Sequence, residues 1–129
     1  MNVALVALGG AFGAMARFGI SSMVVRYSDV SFPLGTMIAN VIGCFLMGLL
    51  IGSRIGERMP WCKYHLGVGF LGALTTFSTF SVETLDLFRQ ERWASAGTNI
   101  GASLLLGLVA VAIGIAIGQR LTGAQPVAS

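Results

Sequence analysis

The sequence predicts an all-α membrane protein with four transmembrane helices in a single domain spanning residues 1–129. Three observations carry that expectation. First, 55% of the 129 residues are hydrophobic and only 10% are charged, with a mean hydropathy of +0.83. A soluble domain of this size needs a far more charged surface to stay dispersed. Second, four apolar stretches come close to the roughly 20 residues a helix needs to cross a bilayer. Third, the chain holds 18 glycines. Glycine weakens a soluble helix by about 1 kcal/mol relative to alanine, whereas in lipid it lets helices approach closely.

The spans follow in order. The first covers residues 3–24 and is interrupted only by Arg17. Ala14-Met15-Ala16 resembles a cleavage site, but no Lys or Arg precedes the apolar run, so a retained helix is expected rather than a signal peptide. The second covers residues 32–53 without a charge. The third, residues 66–83, is short and polar in its second half. The fourth, residues 95–118, is again uncharged. Glycines recur at four-residue spacing as Gly9/Gly13, Gly48/Gly52, Gly97/Gly101 and Gly114/Gly118. Each pair predicts a smooth helix face suited to tight packing.

Charge excludes some functions. A net charge of +3 is too small and scattered for a nucleic-acid surface. Cys44 and Cys62 have neither metal-ligand spacing nor a disulfide framework. No nucleotide-binding loop suggests ATP-driven pumping. No nucleophile–base pair or carboxylate dyad suggests an enzyme, and His65 stands alone. Lys and Arg barely orient the chain. Arg54, Arg58, Lys63 and Arg120 fall on one side, against Arg26, Arg89 and Arg92 on the other. Such a balance is compatible with one weakly biased orientation, or with insertion both ways up and pairing as an antiparallel dimer. Four short helices leave little room for a pore within one chain, which favours a homo-oligomer.

Polar residues within spans are costly and often functional. Arg17 either snorkels to the headgroups or places a positive charge at the mouth of an anion path. Asn40 either bonds a neighbouring helix or offers its amide to an anion. Thr75 to Ser81 is a run of seven residues that are all Thr, Ser or Phe. Hydroxyl side chains compete for backbone hydrogen bonds, which points to a helix break at membrane depth. Such breaks survive only where they are buried in protein or line a watery cavity. Phe77 and Phe80, three apart, share one helix face. They either pack in the core or turn their electropositive ring edges to a small anion. Glu83 either orients a neighbour, caps a backbone end, or is a simple interfacial carboxylate.

These segments together resemble the Fluc family of fluoride channels, also called CrcB proteins. The match runs over nearly the whole chain. It includes Gly9-Gly10-Ala11-Phe12-Gly13-Ala14-Met15-Ala16-Arg17, then Gly35-Thr36 through Asn40 and Gly43. Its most specific element is Gly72-Ala73-Leu74-Thr75-Thr76-Phe77-Ser78-Thr79-Phe80-Ser81. The resemblance implies passive fluoride export that gives resistance to fluoride toxicity, through two pores in an antiparallel, dual-topology homodimer. It implies a third helix broken near the membrane centre, and a multi-pass location in a bacterial plasma or inner membrane.

Site roles follow from the same likeness. Carbonyls of Gly72 and Thr75 from both subunits would hold a central structural sodium ion. Phe77 and Phe80 match the pore aromatics, Asn40 the pore asparagine, and Arg17 the vestibule arginine. Thr36, Ser78, Thr79 and Ser81 are candidates for a hydroxyl track, with Ser103 a further pore-facing hydroxyl. Asn99 stands near a place where some relatives carry an aromatic hydroxyl, and the resemblance leaves its contribution to the vestibule open. The implied partners are fluoride, lipid and a second copy of the chain, without nucleic acid.

Two other readings compete. A proton-coupled exporter of small cations needs a membrane-embedded carboxylate, for which only Glu83 is a candidate. A non-transporting assembly subunit would share the glycines but would not need Asn40 together with the Thr/Ser/Phe run.

Overall fold

The computed structural model describes residues 2–27 and 32–123. Among them every regular element is helical, and four helices are long and apolar enough to cross a membrane: Asn2–Tyr27, Leu34–Gly52, Pro60–Arg89 and Trp93–Thr122. The third is composite and extends beyond residues 66–83 at both ends. Backbone hydrogen bonding carries a helix through Lys63, Asp86 and Arg89, charges at which a hydropathy scan stops. The fourth likewise outruns residues 95–118.

The elements are α1 (Asn2–Tyr27), α2 (Leu34–Gly52), α3 (Ile55–Arg58), α4 (Pro60–Cys62), a π-helical segment (Lys63–Leu71), α5 (Gly72–Leu74), α6 (Phe77–Arg89) and α7 (Trp93–Thr122). At about 1.5 Å per residue, the 19 residues of α2 span roughly 28 Å, close to the bilayer's apolar thickness. Proline opens two helices, as expected of a residue whose φ is preset and whose missing N–H costs nothing in a first turn. Pro33 is the N-cap of α2, and Pro60 begins α4. Gly123, left-handed at φ 62°, ends α7.

Two close pairings organise the bundle: α2 against α7, and α1 against the π-helical segment. Backbone contact explains the glycines. A Cβ on Gly114 would strike the carbonyl of Phe45 and lie 2.8 Å from the Leu49 nitrogen. One on Gly69 would lie 2.7 Å from the Val6 carbonyl oxygen, in the other pair. His65 Nδ1 also lies 3.1 Å from the Leu5 carbonyl oxygen, tying the π-helical segment to α1. Gly97 and Gly101 differ from the other spaced pairs, since nothing lies within 4 Å of a Cβ built on either. Outside these seams large apolar side chains stand exposed, among them Phe12, Phe18, Leu105 and Leu108. Lipid is the solvent that suits them.

Candidate functional site

The third membrane-length helix is interrupted where hydroxyl residues crowd. Thr75 (φ −84°, ψ 153°) and Thr76 (φ −152°, ψ 119°) both have extended backbone. Two side chains stabilise the interruption. Asn40 of α2 accepts from the Thr76 N–H at 2.8 Å and donates through Nδ2 to the Thr76 carbonyl at 3.1 Å. Its amide thus satisfies both backbone groups of one residue, as a neighbouring β-strand would. Thr76 then caps α6, its Oγ1 accepting from the Thr79 N–H at 3.2 Å.

These bonds divert two donors. In an α-helix the Thr76 N–H would serve the Gly72 carbonyl and the Thr79 N–H the Thr75 carbonyl. The first goes to Asn40 and the second to the Thr76 hydroxyl. Gly72 and Thr75 therefore each present a carbonyl without its usual helical partner. Gly72 is also exposed, with only the Gly67 carbonyl oxygen near a built Cβ, at 3.9 Å.

Proton accounting separates the hydroxyls. The single Thr76 proton goes to Thr79 Oγ1 at 3.1 Å. Ser78 Oγ, 3.2 Å from Thr76 Oγ1, must then donate to it. Thr79 accepts and keeps its own proton free to give. Asn40 likewise retains one of its two amide hydrogens. Ser81 has spent its proton on the Phe77 carbonyl at 2.8 Å, and Thr75 on the Leu71 carbonyl at 3.0 Å.

A cavity of about 300 Å³ opens beside the interruption, lined by Asn40, Cys44, Thr75, Thr76, Phe77, Phe80, Ser103 and Leu104. The fold therefore gathers Asn40, Thr75, Phe77, Phe80 and Ser103 from α2, α6, α7 and the extended link. The two phenyl rings lie 5.6 Å apart between centroids, tilted by 38°. Phe77 is 78% exposed within the single chain.

The other predicted residues lie elsewhere. Ser78 and Thr79 reach the cavity only through Thr76. Thr36, buried at 5% exposure, donates to Glu83 Oε1 at 2.8 Å. Glu83 thus meets a neighbour from α2, and its Oε2 is buried without a partner among the described residues. Glu83 also lines a second cavity of about 240 Å³ with Phe32, Pro33, Asp86, Leu87 and Gln90. Thr79, Glu83 and Asp86 of α6 and its C-cap Gln90 recur at helical spacing, so one stripe runs from the interruption to that cavity. Ser81 is exposed away from the cavity. Arg17 is half-exposed on α1 and has no ion pair or hydrogen bond among the described residues.

Sequence reasoning missed two contributors. Thr76 was visible only as one of several hydroxyls, though a Ser or Thr directly before an apolar helical pattern is a capping signal. The second is Thr84, the buried partner of Asn99: Asn99 was visible as an amide in an otherwise apolar span, but its contact with Thr84 was not.

Comparison with known sequences gives a consistent result. A family described as "CrcB-like protein, Camphor Resistance (CrcB)" matches residues 4–115. A relative from Dehalococcoides mccartyi, the fluoride-specific ion channel FluC, is 45% identical over 122 residues, covering 93% of this chain and 94% of its own. The protein of the same description from Shewanella loihica is 48% identical over 114 residues, covering 88% and 92%. That from Shewanella woodyi is 46% identical over the same length.

Proposed function

The chain belongs to the CrcB family, and from that premise we propose that it is a fluoride-selective ion channel giving passive export of F⁻ across the membrane. It is a multi-pass membrane protein and a channel rather than an enzyme. The bacterial inner membrane is its proposed location. Fluoride that enters as the neutral acid dissociates inside, and the membrane potential drives the anion out, giving resistance to its toxicity.

One observation carries the reading furthest. A helix of membrane-crossing length is interrupted at Thr75–Thr76, held there by Asn40, beside a cavity that joins an amide, a hydroxyl and two phenyl rings. The interruption lies near the membrane centre in this proposal. Fluoride is small and strongly hydrated, so a narrow path must replace its water with donors. The free Asn40 N–H, the free Thr79 proton and Ser103 supply neutral donors. The ring edges of Phe77 and Phe80 add weak positive potential. Neutral, multiple contacts hold an anion without trapping it, which conduction requires. The Thr79–Glu83 stripe, with Thr36 across from it and Ser78 and Ser81 nearby, is the proposed polar continuation. Arg17 is the proposed vestibule charge.

The assembly proposed is an antiparallel, dual-topology homodimer with two pores. It is supported by the near-balance of basic residues and by exposed Phe77. Gly72 and Thr75 fit a structural sodium ion at the dimer centre, because hard cations favour oxygen donors and both carbonyls lack their usual helical partners. The ion would supply positive charge between the subunits and hold them together.

The deciding experiment is efflux from liposomes containing the purified protein, with fluoride and chloride electrodes read in parallel. Rapid fluoride loss with retained chloride is expected. Folded dimers that release no fluoride would refute the channel and bring forward the proton-coupled exporter.

A further inference from the structure

Behind the candidate pore lies a second polar cluster, built on Asn99 and Thr84, which meets the proposed pore at Phe80 and Ser103. Asn99 on α7 is 1% exposed, one of the largest fully buried side chains among the described residues. Its Nδ2 donates to Thr84 Oγ1 on α6 at 2.9 Å. The Thr84 hydroxyl in turn donates to the Phe80 carbonyl at 2.7 Å. On the other side, Asn99 Oδ1 accepts from Ser103 Oγ at 3.5 Å, the outer limit of a hydrogen bond. The donors all point one way along the chain of contacts on the Thr84 side: Asn99 to Thr84 to Phe80. The two ends of the cluster, Phe80 and Ser103, both line the same cavity, while Asn99 and Thr84 do not.

Position makes this cluster consequential. α6 begins after the extended Thr75–Thr76 link and is only 13 residues long. It packs on α7 far less extensively than α2 does. Its buried residues, Thr84 and Leu87, lie in its second half. The Asn99–Thr84 bond is thus a main tether between the helix that carries Phe80 and the helix that carries Ser103. An amide buried this deeply is held firmly, because an unmade bond there costs the full desolvation of the group. The Ser103 bond is different. Its length makes it weak, so the Ser103 proton is readily released to an anion in the cavity.

We infer that Asn99 is a positioning residue for halide discrimination: through Thr84 it fixes the separation of the Phe80 and Ser103 walls, and it holds the Ser103 hydroxyl on a weak bond until an ion takes it. The inference rests on the channel reading. Loosening the tether lets the constriction widen, which weakens fluoride dehydration and admits chloride. A residue that merely stabilised the fold would change both fluxes together.

The test uses the full-length protein in liposomes, with parallel fluoride and chloride efflux normalised to folded protein. Thr84→Val removes the hydroxyl at nearly constant shape, Thr84→Ser keeps it, and Asn99→Leu removes both amide bonds. The fluoride-to-chloride flux ratio is expected to fall about tenfold or more in Thr84→Val and Asn99→Leu, and to stay within twofold of the parent in Thr84→Ser. Ser103→Ala is expected to matter less in the Asn99→Leu background than in the parent, since residues of one network are not additive. A ratio within twofold of the parent in Thr84→Val overturns the inference, as does an equal loss of both fluxes. If Asn99→Leu does not fold, the Thr84→Val and Thr84→Ser comparison decides alone. A parent that releases no fluoride fails the channel reading itself, an outcome distinct from a conducting parent with indifferent variants.

Discussion

Replacing Asn40 by Ala tests the interruption and the pore at once. The substitution removes the partner of both the N–H and the carbonyl of Thr76, a residue only 9% exposed. Leaving a buried donor or acceptor unpaired costs about 1–3 kcal/mol each. The two together cost about 2–6 kcal/mol unless the backbone rearranges. The nearest rearrangement returns the Thr76 N–H to the Gly72 carbonyl and closes the interruption. Either outcome disfavours the conducting geometry by at least about 2 kcal/mol, which is about 30-fold in rate at 1.36 kcal/mol per tenfold. The free amide hydrogen offered to the ion is lost as well. Fluoride efflux per folded protein should therefore fall at least about 30-fold, with the dimer retained on size-exclusion chromatography in detergent. Asn40→Asp keeps an acceptor for the Thr76 N–H but loses the donor to its carbonyl, so it should also conduct poorly. Asn40→Ala that carries fluoride within twofold of the parent would refute both the clasp and its place in the pore.

The remaining predictions need smaller perturbations. Phe80→Leu keeps apolar bulk but removes the ring edge and its contact with Phe77 at 5.6 Å. An aromatic pair is worth about 0.5–1.5 kcal/mol, so fluoride efflux should fall about 2- to 13-fold without loss of the dimer. Thr76→Val deletes the cap of α6 and should destabilise the fold by about 1 kcal/mol, read as an earlier midpoint in a denaturing-detergent titration. Gly114→Ala drives a methyl into the α2 backbone and should lower the yield of folded protein, whereas Gly101→Ala meets nothing within 4 Å in the single chain and should be tolerated by it. Exchanging sodium for a large organic cation should lower the thermal stability of the dimer. No change, at any sodium concentration, would argue against an ion on the Gly72 and Thr75 carbonyls.

Much of this protein was legible in its sequence because lipid simplifies the reading. Four apolar runs, a shortage of charge and spaced glycines suffice to predict four membrane helices, since a bilayer admits few other arrangements of backbone. The Thr75–Ser81 run marked the special stretch for a local reason, the competition of hydroxyls with the helix, and Thr75 and Thr76 within it have extended backbone. Asn40 was identified as an amide that needed partners. What no local pattern reveals is where those partners stand.

Only the tertiary structure joined Asn40 to Thr76, 36 residues away, and Thr36 to Glu83, 47 residues away. Periodicity places a side chain on a face of its own helix, whereas a hydrogen bond across helices depends on how the helices are rotated and offset. That rotation is fixed by backbone contacts such as Gly114 against Phe45, which no hydropathy scan registers. It put Ser103 in the cavity, while bonds local to the chain left Thr79 with a proton to give and tied Ser81 to its own helix. Helix packing also placed Asn99 behind the cavity lined by Phe80 and Ser103. Composition and local pattern set the solvent, the helices and the set of candidate residues. The packing of α2, α6 and α7 decided which of those residues meet, because donors and acceptors act over about 3 Å and only the folded chain sets distances that fine.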